Sequence, residues 1–235
     1  MRERERHPAW GARKIRRVLE RAGWCVPSAA TVHAVLHRHG CVAAPRGGSR
    51  ACIRFERAAP NELWQMDFKG WFTLGDGSRC HALTAIDDHA RYALCLQALE
   101  RQTFEAVKAA LEAVFARYGL PDALFVDNGP PWGDTGGARW TRLKVWLARL
   151  GVAVLHARPY HPQSRGKNER FHRTLDDEVL ALRVLRDRAQ AQAAFDAFRS
   201  TYNLERPHEA LGFEVPASRY RPSHRSMPKT LPQPA

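Results

Sequence analysis

The clearest alternation of apolar and polar positions begins at Leu63. In "LWQMDFKGWFTL", Trp64, Met66, Phe68, Phe72 and Leu74 fall on one face and Gln65, Asp67 and Lys69 on the other, the spacing of a half-buried strand. "GDGS" predicts a hairpin turn into a second strand, "RCHALTAID", and a third, "RYALCLQAL", follows a turn around Asp88. The period then lengthens to that of a helix in "TFEAVKAALEAVFARYG": Phe104, Val107, Leu111 and Val114 point inward, and Gly119 ends it. "DALFVDNG" has the short apolar run of a buried strand. A helix over about 139–150, a strand at "VAVLHARPY", a helix carrying Glu169 and a last helix over 190–202 follow. Three strands, then alternating helices and strands, predict an α/β domain with a mixed five-stranded sheet flanked by helices, antiparallel first and parallel later.

Ahead of this unit, residues 11–40 carry two short amphipathic stretches around "AGWCVPS". Ile15, Val18 and Leu19 repeat at helical spacing in the first, and Val32, Val35 and Leu36 in the second. Gly23 ends the first, and Ser28 after Pro27 caps the second. The pair reads as a small all-α helix-turn-helix domain over 1–43, with Thr31 and Arg38 on the candidate reading helix. Arg13, Lys14, Arg16 and Arg17 concentrate positive charge beside it, which favours DNA contact over a helical hairpin used only for packing. Residues 44–60 read as a basic linker, 61–221 as the core with its C-terminal helices, and 222–235 as a disordered Pro-rich tail.

Charge changes the picture more than composition does. A net charge of +13 and a pI near 10.2 attract polyanions, and nucleic acid is the commonest such partner. No apolar run is long enough to span a bilayer and the basic start lacks the apolar region of a secretory signal, so a cytoplasmic, nucleoid-associated setting is expected. Five cysteines without a CxxC pair point to a reducing compartment. His33, His37 and Cys41 lie close in sequence, but zinc would need a fourth ligand and none stands at a sensible spacing.

Three carboxylates carry the candidate chemistry. Asp67 lies mid-strand, where Asp is disfavoured and no turn explains it. Asp127 stands at the carboxyl end of a buried strand, a usual place for ligands in α/β sheets, although Asp followed by Asn128 and Gly129 also suits a turn cap. Glu169 lies in "HPQSRGKNERFHRTL" among Arg165, Lys167, Arg170 and Arg173. Arg165, Glu169 and Arg173 form one i, i+4 column, the pattern of an ordinary exposed ion-pair face, with Phe171, Leu175, Val179 and Leu182 as the apolar stripe. If Asp67 and Asp127 lie on adjacent strands and the Glu169 helix crosses their ends, the three acids meet. Bare, they would repel, and hard cations such as Mg²⁺ or Mn²⁺ relieve that repulsion. Two such ions support an in-line displacement at phosphorus, with Arg165 and Lys167 gripping the phosphodiester.

"LWQMDFKGWF", "LFVDNGPPW" and "YHPQSRGKNERFHRTL" resemble the three acidic segments of insertion-sequence transposases related to retroviral integrases. "YNLERPHEALGFEVPASRY" resembles the segment that closes their core, and "HPAWGARKIRRVLERAGWCVPSAATVHAVLHRHG" the helical DNA-binding segment before it. The resemblance covers nearly the whole chain. It implies a ribonuclease-H-like fold and a triad of Asp67, Asp127 and Glu169. It also implies two Mg²⁺ or Mn²⁺ ions with DNA bound, and cleavage and strand transfer at mobile-element ends by a homo-oligomer on double-stranded DNA. Lys167 and Arg173 match basic positions flanking the family glutamate. Asp127 and Glu169 are 42 positions apart, somewhat more than usual, and "PPWGDTGGARW" accounts for the extra length. Relatives carry more helices ahead of this segment, so a shortened N-terminus is expected. The other readings are a catalytically idle DNA-binding remnant and a ribonuclease-H-type nuclease.

Overall fold

The structure is a computed structural model, and it describes residues 1–42, 56–133, 140–156 and 166–230. Five strands form one mixed sheet: β1 (Trp64–Thr73), β2 (Arg79–Asp87), β3 (Ala93–Leu99), β4 (Ala123–Val126) and β5 (Ala153–His156), in the order β3-β2-β1-β4-β5. β1–β2 and β2–β3 are antiparallel, while β1–β4 and β4–β5 are parallel, as the element order predicts.

Helices cover both faces. On one, α4 (Phe104–Tyr118) and α5 (Arg142–Arg149) bury Val107, Leu111, Phe115, Trp146 and Leu147 against Trp64, Met66 and Leu83. On the other, α6 (Gly166–Leu175) and α7 (Arg188–Leu204) bury Phe171, Leu175, Phe195 and Phe198 against Cys80, Ala82 and Ile86. Side-chain oxygens of Thr103, Thr141 and Asp187 cap α4, α5 and α7 by accepting backbone N–H bonds.

Two expected faces are corrected. The β1–β2 register shifts between Phe68 and Trp71, around Gly70 at φ 101°. That bulge inverts the alternation, so Phe72 and Leu74 join the α7 side while Phe68 stays with Trp64. A π-helical turn, Asp176–Leu180, likewise continues α6 and moves Leu182 out of the apolar stripe to an exposed position.

The N-terminal unit comprises α1 (Arg2–Arg6), absent from the sequence expectation, α2 (Ala12–Arg21) and α3 (Ala29–Arg38) around Trp10, Ile15 and Leu36. The linker is tied down where it is described: Glu56 pairs with Arg91 and Arg219, and the Arg57 N–H bonds Asp88. The tail expectation also needs correction. The Arg225 guanidinium donates to the carbonyls of Pro121, Leu150 and Gly151, which packs the start of the tail across the ends of α4 and α5.

Candidate active site

The parallel pairing of β1 with β4 matches Trp64 with Leu124 and Gln65 with Phe125. The same offset carried two residues further brings Asp67 level with Asp127 on the neighbouring strand. On that extended register the two would stand at one height; Asp67 is half-buried and Asp127 lies just past the carboxyl end of β4.

Each aspartate is held through its own backbone carbonyl. Thr84 on β2 donates its hydroxyl to the Asp67 carbonyl at 2.9 Å. The His156 Nδ1, at the end of β5, lies 2.8 Å from the Asp127 carbonyl. Asp127 also accepts the Gly129 N–H at 3.1 Å on Oδ1, so the turn-cap reading of this residue holds geometrically alongside the ligand reading. A Cβ at position 129 would stand 3.3 Å from Oδ2, so glycine keeps the carboxylate uncrowded.

Glu169 projects from the first turn of α6, exposed, while Phe171 and Leu175 of the same helix are buried. Two contacts fasten this helix to the sheet on either side of it. Lys167 Nζ meets Asp88 Oδ1 at 2.5 Å, and Asp88, fully buried, also accepts from Gln65 Nε2 at 2.7 Å. On the other side, His172 Nε2 lies 2.8 Å from the Thr84 hydroxyl. Burial lowers the Lys167 ammonium to about 8 against the pull of Asp88. Burial, helped by Lys69, lowers His172 to about 4, so its ring is neutral at ordinary pH.

Asp67 lies on β1, Asp127 just past β4 and Glu169 in the first turn of α6. Among the described residues, no three acidic, histidine or cysteine side chains close to metal-holding distance.

The basic residues divide. Arg170 and Arg173 are exposed on α6, and Asn128 is exposed beside Asp127. Arg165 lies outside the described residues. Lys167 is engaged by Asp88 rather than presented to solvent, a correction to its expected role as a phosphate grip.

The N-terminal cations are also redirected. Arg13 pairs with Glu209, Arg17 meets Glu214 at 2.5 Å and Arg21 meets the same carboxylate at 2.8 Å. Lys14 is lowered to about 8, first by burial and then by Arg206. Arg13 and Arg17 thus dock α2 on the closing segment in the DNA-free chain. On α3, Thr31, His33, His37 and Arg38 remain exposed. Ser28 accepts the Thr31 N–H at 3.2 Å as the N-cap, so its hydroxyl is committed to the helix.

Two family models described as "Integrase core domain" match residues 57–162 and 150–216. The chain belongs to the integrase-core family. Its relatives place this integrase-core chain among the insertion-sequence transposases of the retroviral-integrase superfamily, a class of polynucleotidyl transferases. The 31.7 kDa protein of insertion element IS407 from Burkholderia multivorans is 29% identical, over 81% of this chain and 68% of the relative. The 39.2 kDa protein of insertion element IS476 from Xanthomonas euvesicatoria is 26% identical over 71% of this chain, which spans only 46% of that relative. The Gag-Pol polyprotein of avian reticuloendotheliosis virus is 30% identical over 56% of this chain and 11% of its own length.

The ribonuclease-H-like fold is shared with a chain of the simian T-cell lymphotropic virus intasome, with a TM-score of 0.56 at 18% identity over 97% of this chain and 80% of that one. The HTLV-2 integrase catalytic core domain in complex with magnesium gives a TM-score of 0.51 at 14% identity, over 69% of this chain and 97% of that one. No helix among the described residues is long and apolar enough to cross a membrane.

Residues the pattern did not single out are Thr84, His156 and His172. Asp88 is read from sequence as a turn residue, because a buried partner on a distant helix leaves no local signal.

Proposed function

We propose that this integrase-core chain cuts and joins DNA at the ends of an insertion element, with Asp67, Asp127 and Glu169 as its acidic triad. The observation that carries the reading is the parallel pairing of β1 with β4, whose register, extended two residues, would level Asp67 with Asp127, together with the two contacts that fasten the Glu169 helix to the same sheet. An all-carboxylate donor set suits Mg²⁺ or Mn²⁺, two ions with DNA bound, and misfits softer ions. When bound, the ions neutralise charge at the reacting phosphate and lower the pKa of the attacking hydroxyl.

The remaining work falls to the chain. β1 and β4 hold two carboxylates rigidly, and α6 brings the third from the side. Arg170 and Arg173, exposed on the same helix, contact the phosphodiester backbone of the DNA. α3 presents Thr31 and Arg38 to the duplex, while the α2 cations hold the helical unit to the core. Two overall steps follow: water opens a phosphodiester bond at the element end, releasing a 3′ hydroxyl. That hydroxyl attacks a target phosphodiester and displaces a 3′ oxygen, so one such bond replaces another without an external energy source. Bringing two ends together calls for at least two copies of the chain.

A strand-transfer assay tests this, using labelled element-end DNA, plasmid target and Mn²⁺. Joined product should form with wild-type protein and vanish with Asp67→Asn, Asp127→Asn or Glu169→Gln while DNA binding persists. Folded wild-type protein that binds the DNA and never cuts or joins it would mark a binding remnant instead.

A further inference from the structure

Thr84 is fully buried between β1 and α6, yet its hydroxyl touches two polar partners. It lies 2.9 Å from the carbonyl oxygen of Asp67 and 2.8 Å from Nε2 of His172. A threonine hydroxyl has one proton, and a carbonyl oxygen can only accept. The proton therefore goes to Asp67, and the His172 contact is satisfied when Nε2–H donates to Thr84 Oγ1. The pair of bonds fixes the imidazole as its Nε2–H tautomer.

The relay has a direction in the fold. One end is the backbone of Asp67, the first acid of the triad. The other is the residue one helical turn after Glu169, and side chains three apart share a helix face. Two residues before Glu169, Lys167 is gripped by buried Asp88, itself held by Gln65 of β1. Glu169 is therefore straddled by two anchors that both end on the strand of Asp67. A hydroxyl needing only satisfaction could bond its own strand. This one bridges the strand of one acid to the helix of another.

We infer that Thr84 and His172 are positioning residues that set the separation of Glu169 from Asp67, and so the geometry in which the triad takes up divalent cations. This rests on the Asp-Asp-Glu reading above. Outer partners of ligand-bearing groups typically alter metal affinity or activity about 10–100-fold when removed. The neutral state that burial imposes on the ring agrees with its acting as a fixed donor.

The experiment compares wild type, Thr84→Val, Thr84→Ser and Asp67→Asn as full chains on element-end DNA. It follows the Mn²⁺ concentration at half-maximal joining, kcat, DNA Kd and Tm, with Mn²⁺ uptake by electron paramagnetic resonance and the His172 tautomer by ¹⁵N imidazole NMR. Thr84→Val should raise the half-maximal Mn²⁺ concentration about tenfold and lower kcat, with DNA Kd within about twofold of wild type. It should also lose the protected Nε2–H signal, and Thr84→Ser, which keeps the hydroxyl, should restore both. A purely structural Thr84 would lower Tm and the folded fraction while leaving Mn²⁺ dependence unchanged, and that result overturns the inference. So does a wild-type ring carrying its proton on Nδ1. Joining by Asp67→Asn, or no Mn²⁺ uptake by wild type, overturns the triad reading and this inference together, whereas an indifferent Thr84→Val beside an active wild type overturns the inference alone.

Discussion

Lys167 and Asp88 form an ion pair of 2.5 Å between the first turn of α6 and the end of β2, and the carboxylate is wholly buried. Asp88 also receives the Gln65 amide and the Arg57 backbone N–H. The pair therefore joins the Glu169 helix, two strands and the segment leading into β1.

Removing one partner of such a pair leaves the other buried without compensation. Lys167→Met is expected to cost about 3 kcal/mol, because breaking a buried pair is far worse than replacing it whole. Asp88→Asn combined with Lys167→Met should recover part of the loss. Urea unfolding of both single variants and the double beside wild type measures this, and an additive double variant would show that the two residues do not act as a pair.

Gly129 predicts a separation of stability from activity. An alanine Cβ there would meet Asp127 Oδ2 at 3.3 Å, and position 129 has no positive φ to strain. Gly129→Ala should change stability by less than about 1 kcal/mol yet reduce joining several-fold by crowding that carboxylate. Thermal unfolding and the strand-transfer rate, measured on one preparation, check the two halves.

Much of this arrangement was legible in the sequence. Element order predicts the mixed sheet, and Asp67 stands out because no turn explains it. Asp127 was ambiguous from sequence, and its carboxylate does bond the Gly129 N–H. The misassigned faces share one physical cause: a local insertion that changes phase without changing residue type. Gly70 inverts β1 beyond Phe68, and the π turn after Leu175 releases Leu182. Gly70 was a visible warning within a strand, whereas nothing local announces the π turn. Asp88, Thr84 and His172 acquire their roles only from partners far along the chain, which periodicity cannot report.

His172 gives the fold an acid-sensitive contribution. The unfolded chain takes a proton there near the ordinary histidine value of 6.5, and the folded chain only near 4. Between those values the unfolded state holds more protons, so stability rises with pH from about 4 to 6.5. Each such proton contributes a slope of about 1.4 kcal/mol per pH unit within the window. His208, held well below its usual value by burial and by Arg206, adds a slope of the same sign. Urea midpoints taken across the window should show the rise, and His172→Asn should remove one proton's share of it.

The last prediction separates the two helices of the N-terminal unit. Arg13, Arg17 and Arg21 on α2 are paired with Glu209 and Glu214, whereas Arg38 on α3 is exposed. If α3 meets the duplex, Arg38→Ala should weaken element-end binding and lower the salt dependence of log K by about one unit of slope. Arg13→Ala should leave that slope unchanged, because its guanidinium faces a carboxylate and releases no counterion from DNA. Exposed ion pairs contribute little singly, about 0–1 kcal/mol, so one deletion in α2 should not free the unit. Glu214→Lys, which turns two attractions into repulsions at once, should speed hydrogen exchange in α2 and α3 while the core strands stay protected. Equal salt slopes for Arg38→Ala and Arg13→Ala would mean that DNA draws α2 off the closing segment when it binds, and α2 would then share the duplex contact.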